Sequence, residues 1–205
     1  MKKFVTLIIS AMFVLFLLVG YSINVNSNLS QNIVRLHVLA NSDSESDQAL
    51  KLKVRDAILE HSQKEFTKKS DVESALTTYK EIAENVVREN GYDYPVFVEY
   101  GNFAFPTKEY NSFRLPAGNY DAVRVKIGNA EGKNWWCVMF PPLCFVDGTT
   151  DAAYAEDKLR SSLSDESYDI ISAAADGTSP FAIKFKIVEF YGKISGRDKV
   201  YAQSK

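Results

Sequence analysis

Apolar positions recur along this chain with different periods, and each period predicts an element. Phe4 to Val19 is apolar apart from Thr6 and Ser10, has no polar face, and follows Lys2 and Lys3. A charged start before an unbroken apolar run is the pattern of an export signal. At about sixteen residues the run is slightly short of a membrane span of ~20, and Gly20 to Ile23 lengthens it enough to cross. Two states fit: a signal peptide cut before Ile23, after the small residues Gly20 and Ser22, or an uncleaved anchor. In both, the rule that positive flanks stay inside sends the rest of the chain across the membrane. Asn24 to Gln31 is polar and reads as a spacer.

Ile33 to Ala40 reads as a strand, with Val34, Leu36 and Val38 on one face and Ile33, Arg35, His37 and Leu39 on the other. It runs into N-S-D-S-E-S-D-Q, a cluster of helix-capping residues in which Ser44 and Asp47 approximate a capping box. A helix is expected over about Asp47 to Ser62, on a stripe of Leu50, Val54, Ala57 and Ile58 widened by Leu52 and Leu59. A second begins at Ser70, three before Glu73. It continues through Val72, Ala75, Leu76, Tyr79, Ile82, Ala83, Val86 and Val87 to Gly91, where a left-handed C-cap belongs.

Beyond the helices the period changes to two. Pro95 to Tyr100 reads as a strand, and Gly101 to Ala117 as an irregular loop or short hairpin. Tyr120 to Ile127 and Trp135 to Phe140 read as a hairpin closed by Pro141-Pro142. Thr149 to Ser161 can form a short helix, and the Ser-, Asp- and Ala-rich stretch Ser162 to Ser179 reads as a loop. Phe181 to Ile187 alternates as a strand, and Val188 to Ile194 fits strand or terminal helix. The expected organisation is a leader over 1–22, a spacer over 23–32, one globular domain over 33–196 and a polar tail over 197–205. The expected fold class is α+β, with helices packed on a largely antiparallel sheet.

Composition excludes several functions. Aromatic content of 13% over 205 residues gives enough apolar surface for a packed core, which argues against disorder. Formal charge is −2, and the two leader lysines leave −4 for the remainder. The densest basic cluster, Lys64, Lys68 and Lys69, is diluted by Glu65 and Asp71. Nucleic acid, whose phosphates demand clustered cations, is therefore not the expected partner.

No hydrolase elbow, zinc-protease, phosphate-loop or dinucleotide motif occurs. There are two histidines, His37 and His61. Cys137 and Cys144 stand seven apart, which is not a metal-knuckle spacing, so neither metal nor cofactor is expected. Outside the cytoplasm the two cysteines fit a disulfide, and two buried thiols fit equally. The most site-like stretch is Arg35 to Asp43. His37 near Ser42 and Asp43 has the composition of hydrolytic apparatus, centred on His37, and equally that of a polar strand face leading to a capped helix. The second is Trp135-Trp136, adjacent tryptophans that must point to opposite sheet faces.

These stretches also carry a family resemblance. Ile33–Ser44 (IVRLHVLANSDS), Asp47–Ala57 (DQALKLKVRDA), Tyr100–Lys108 (YGNFAFPTK), Leu115–Val125 (LPAGNYDAVRV) and above all Gly132–Asp147 (GKNWWCVMFPPLCFVD) resemble the stage II sporulation protein R family, in order and behind the expected leader. The resemblance implies a non-enzymatic signalling protein of endospore-forming bacteria. Such a protein is made in the forespore and exported into the space between the two membranes. There it triggers a membrane-embedded aspartic protease of the mother cell, which processes the early mother-cell sigma factor precursor. On that reading the partner is expected at Arg35, His37, Asn41 and Asp43, together with Trp135 or Trp136. An arginine fork suits a carboxylate, and tryptophan supplies apolar area at low entropic cost.

Overall fold

The computed structural model describes residues 3–10, 12–14, 16–17, 29, 32–65, 69–110, 113–144 and 152–175. Residues 3–10, in the apolar run near the N-terminus, are helical and expose Phe4, Leu7 and Ile9. Among the described residues no helix is long and apolar enough to cross a membrane. The elements that follow are β1 (Val34–Leu39), α1 (Glu45–Glu65), α2 (Lys69–Ser74), α3 (Leu76–Glu89), β2 (Val96–Phe105), β3 (Lys108–Glu109), β4 (Arg114–Leu115), β5 (Gly118–Ile127), β6 (Asn134–Phe140), α4 (Ala152–Ser162) and α5 (Asp165–Ala175).

The α+β class stands. Four strands form a sheet in the order β2-β5-β1-β6, antiparallel except for the parallel pair β5-β1. One face packs against α1, α2 and α3. Val34, Leu36 and Val38 of β1 meet Leu50, Val54, Ile58, Val72, Tyr79, Ala83 and Val87 there, with Val123, Val125, Cys137 and Met139 from the neighbouring strands. Cys137 and Cys144 are joined by a disulfide with Cα atoms 5.3 Å apart. α1 starts at Ser44, whose Oγ accepts the Asp47 N–H at 3.2 Å. α3 ends in a Schellman motif: Tyr92 N–H donates to Val87 O at 3.1 Å and Gly91 N–H to Arg88 O at 2.9 Å. Gly91 sits at φ +81°, as that cap requires.

Several sequence expectations are corrected. The helix expected from Ser70 to Gly91 is two helices broken at Ala75. The break lets Val72 reach the core while Lys69 pairs with Asp121 of β5 at 2.8 Å. β2 runs on through Gly101 to Phe105, because Phe103 and Phe105 pair with Tyr120 and Gly118, and only then does the small β3-β4 hairpin follow. The stretch Ser162 to Ser179, expected as a loop, holds α5. Its polar residues serve as a cap, Ser167 N–H donating to Ser164 Oγ at 3.3 Å, while Tyr168, Ile170 and Ile171 are buried. The strand expected at Phe181 to Ile187, the segment Val188 to Ile194 and the polar tail lie outside the described residues.

The largest correction is the hairpin of 120–127 with 135–140. β5 and β6 are not neighbours, because β1 lies between them. The connecting loop crosses the end of β1 and is fastened there: Gly132 N–H donates to Ala40 O at 3.0 Å and Glu131 N–H to Asn41 O at 3.2 Å. Gly132 is required at this crossing, since a Cβ would collide with the Ser42 carbonyl.

Candidate functional site

The second sheet face carries Arg35, His37 and Trp136 of the residues singled out in the sequence. Strand partners point to the same face, so the register sorts them into rows. Glu99, Arg124, His37 and Trp136 form one row; Phe97, Lys126, Leu39 and Asn134 form the next. Towards the start of β1 this face is covered by a second core of Leu29, Ile33, Phe105, Phe113, Tyr120, Val138, Leu159 and Ile171, among others.

That cover buries three of the six residues expected at the partner surface. Arg35 is fully buried. Its guanidinium lies 4.4 Å from the Phe105 ring centroid and 5.2 Å from that of Tyr120, and Nε donates to Cys137 O at 3.4 Å. Its two terminal nitrogens have no hydrogen-bond partner among the described residues. His37 is buried too, stacked on Trp136 at 3.7 Å between ring centroids, with Nε2 2.6 Å from Asn134 Oδ1. Burial pushes the His37 pKa down to about 3, aided by the cations Arg124 and Arg35 and opposed by the Asn134 bond. His37 is a neutral core histidine.

Asn41 and Asp43 remain accessible but are occupied. Asn41 Nδ2 donates to Asp47 Oδ2 at 2.8 Å, and Asn41 Oδ1 accepts the Asn129 N–H at 2.9 Å. Asp43 Oδ1 accepts the Lys133 N–H at 2.7 Å, and Ser42 donates to Asp47 Oδ2 at 2.6 Å. Burial opposes ionisation of Asp47, but hydrogen bonds from Ser42, Asn41, Tyr94 and Ser44 outweigh it and hold its carboxyl below the usual range. This polar run fastens the loop between β5 and β6 to the start of α1. The composition that resembled a hydrolytic set is thus divided: His37 meets an amide from β6, while Ser42 and Asp43 serve the crossing. Trp135 faces the helices, half-buried, with the Arg55 guanidinium 4.1 Å from its ring centroid. The two tryptophans therefore take opposite faces, and neither stands free.

What the sequence reading missed is the accessible half of the same face. Arg124 Nη2 and Lys126 Nζ converge on Glu99 Oε1 at 2.8 and 2.9 Å. Their hydrogen bonds, that of Lys126 foremost, hold the Glu99 carboxyl below its ordinary range against partial burial. Phe97 beside them is 57% exposed. The signal was present in the alternation of β5, where Arg124 and Lys126 share a parity with the buried Tyr120 and Ala122.

Comparison with known proteins addresses the chain as a whole. A family model described as stage II sporulation protein R matches residues 30–150. The chain is 33% identical over 132 residues to "Stage II sporulation protein R" of Bacillus subtilis (strain 168). That match covers 61% of this chain and 59% of the relative, so it spans less than two thirds of the relative's length. No solved structure matches. With more than half of its length matched by the family model, the chain belongs to the stage II sporulation protein R family, a family of sporulation proteins.

Proposed function

We propose that this chain is an exported sporulation signal that acts by binding. It crosses the forespore membrane on its apolar leader and activates a membrane-embedded aspartic protease of the mother cell, which then processes the early mother-cell sigma factor precursor. The observation that carries the binding part is the state of His37. It is buried, stacked on Trp136 and bonded to an amide, and burial drives its pKa to about 3. A general base has to be reached by substrate and to titrate near the working pH; His37 does neither. The family membership supports the sporulation context, and Lys2 and Lys3 ahead of the apolar run support export.

The test replaces His37 with glutamine, which retains an amide donor for Asn134. The His37→Gln chain, with folding checked by circular dichroism, is expected to sustain sigma factor processing in cells that lack the native copy. Loss of processing by a folded variant that still binds the protease would move the function to a hydrolase centred on His37.

A further inference from the structure

We infer that the open half of the second sheet face, centred on Phe97, Arg124 and Lys126, docks an acidic segment of a partner protein that also carries an apolar side chain. This names the surface for the binding reading and rests on it.

Three observations place the surface. First, the two rows Glu99-Arg124-His37-Trp136 and Phe97-Lys126-Leu39-Asn134 lie side by side on one face, and the second core stops short of their β2 and β5 members. His37 and Trp136 are buried, whereas Glu99, Arg124, Lys126 and Leu39 are half-exposed. Second, Phe97 is 57% exposed, and the other exposed large apolar side chains among the described residues all belong to the leader, residues 4 to 17. An exposed phenylalanine in mid-strand leaves an aromatic face in water that a partner's apolar side chain can cover. Third, the charges are unbalanced. Arg124 and Lys126 share one carboxylate oxygen of Glu99, which leaves one cation in excess in a chain of formal charge −2.

The chemistry of the occupant follows from that imbalance. A carboxylate completes the pairing of two cations that now divide one, competing with Glu99 for the Arg124 Nε and Nη2 donors. Phe97, directly across from Lys126 in the register, meets the apolar residue beside that carboxylate. Nucleic acid is a poor occupant, because two cations neutralise too few phosphates. An anionic lipid surface is a poor occupant for a like reason: two cations around one carboxylate are not the basic cluster that such a surface attracts.

The experiment measures affinity of the full chain for the detergent-solubilised protease. Phe97→Ser and the double variant Arg124→Glu with Lys126→Glu are each expected to bind about tenfold more weakly or worse. Glu99→Gln removes the competing carboxylate and is expected to bind severalfold more tightly, a gain that loss of structure cannot imitate. Wild-type binding that none of these folded variants changes would overturn the surface while leaving the binding reading in place. No binding by the wild-type chain would overturn the binding reading and the surface with it. In a parallel arm, vesicles of phosphatidylcholine with phosphatidylglycerol are expected not to retain the chain through this patch. Retention that Phe97→Ser and the double charge variant abolish would assign the surface to lipid instead.

Discussion

The two faces of the sheet obey different rules. The face under α1, α2 and α3 is an apolar layer in which every β1 position is aliphatic: Val34, Leu36 and Val38. The opposite face of the same strand presents Arg35 and His37, and its cover is a patchwork of aromatic side chains, the small hairpin and the last two helices. The first face is stabilised by area removed from water, which is insensitive to pH and forgiving of position. The second holds polar groups that must each be neutralised, stacked or paired, and it opens to solvent where charges can pair with something else. The proposed docking surface lies on the second face, where Arg124 and Lys126 divide one carboxylate oxygen of Glu99.

Substitutions can break this contrast, beginning with the largest effect. Leu36→Ala, on the helix-covered face, is expected to lower stability by about 3 kcal/mol, as large-to-small changes in tight cores do. Urea denaturation measures this, and the loss should be the same at pH 5 and pH 7.

The second face should instead respond to pH. His37 has a folded pKa of about 3 against an ordinary value of 6.5. Between those values the unfolded chain binds the proton and the folded one does not. Stability is thus fully present above 6.5 and is lost as pH falls towards 3. From pH 7 to pH 5 the loss from this group is about 2 kcal/mol. The His37→Gln chain, compared with wild type in the same denaturation series, should lack that component. An unchanged difference between the two pH values would show that His37 is not held neutral.

A smaller effect of opposite sign is expected at Arg35. Its two terminal nitrogens lack hydrogen-bond partners among the described residues, and its charge is compensated chiefly by two aromatic rings. Arg35→Met keeps the bulk and removes the buried charge, and should raise stability by about 1 kcal/mol. A large destabilisation would show that the guanidinium is paired in solution. The smallest effect is at the open end: Lys126→Ala, a half-exposed surface cation, should change stability by no more than about 0.5 kcal/mol. A greater loss would mean that the Glu99 cluster is structural.

The same contrast explains how far the molecule was legible in its sequence. The helix-covered face was readable because aliphatic residues at period 3.6 in α1 and α3 and at period 2 in β1 admit one burial pattern. The place of β1 in the sheet was not. A six-residue connection between β5 and β6 ordinarily closes a hairpin, and the bonds from Ala40, Asn41 and Asp43 that carry it over β1 are long-range. One local sign existed: Ile33 to Ala40 is nearly continuous in apolar residues, as suits a central strand buried on both sides. Parity put Arg35 and His37 on a common face, but it cannot say which part of a face is covered. That depends on where β3, β4, α4 and α5 fold back. Of the candidate residues, Arg35, His37 and Trp136 accordingly lie at the buried end of that face.

The proposed function turns on whether this chain acts through a membrane-embedded protease or on a substrate of its own. The decisive measurement reconstitutes the protease in vesicles with the sigma factor precursor on the mother-cell side and supplies this chain to the opposite, extracytoplasmic side, following cleavage over time. The account predicts that cleavage begins only when the chain is on that side, and that the chain without the protease cleaves nothing. Cleavage that proceeds equally without the chain, or that the chain achieves alone, would contradict it.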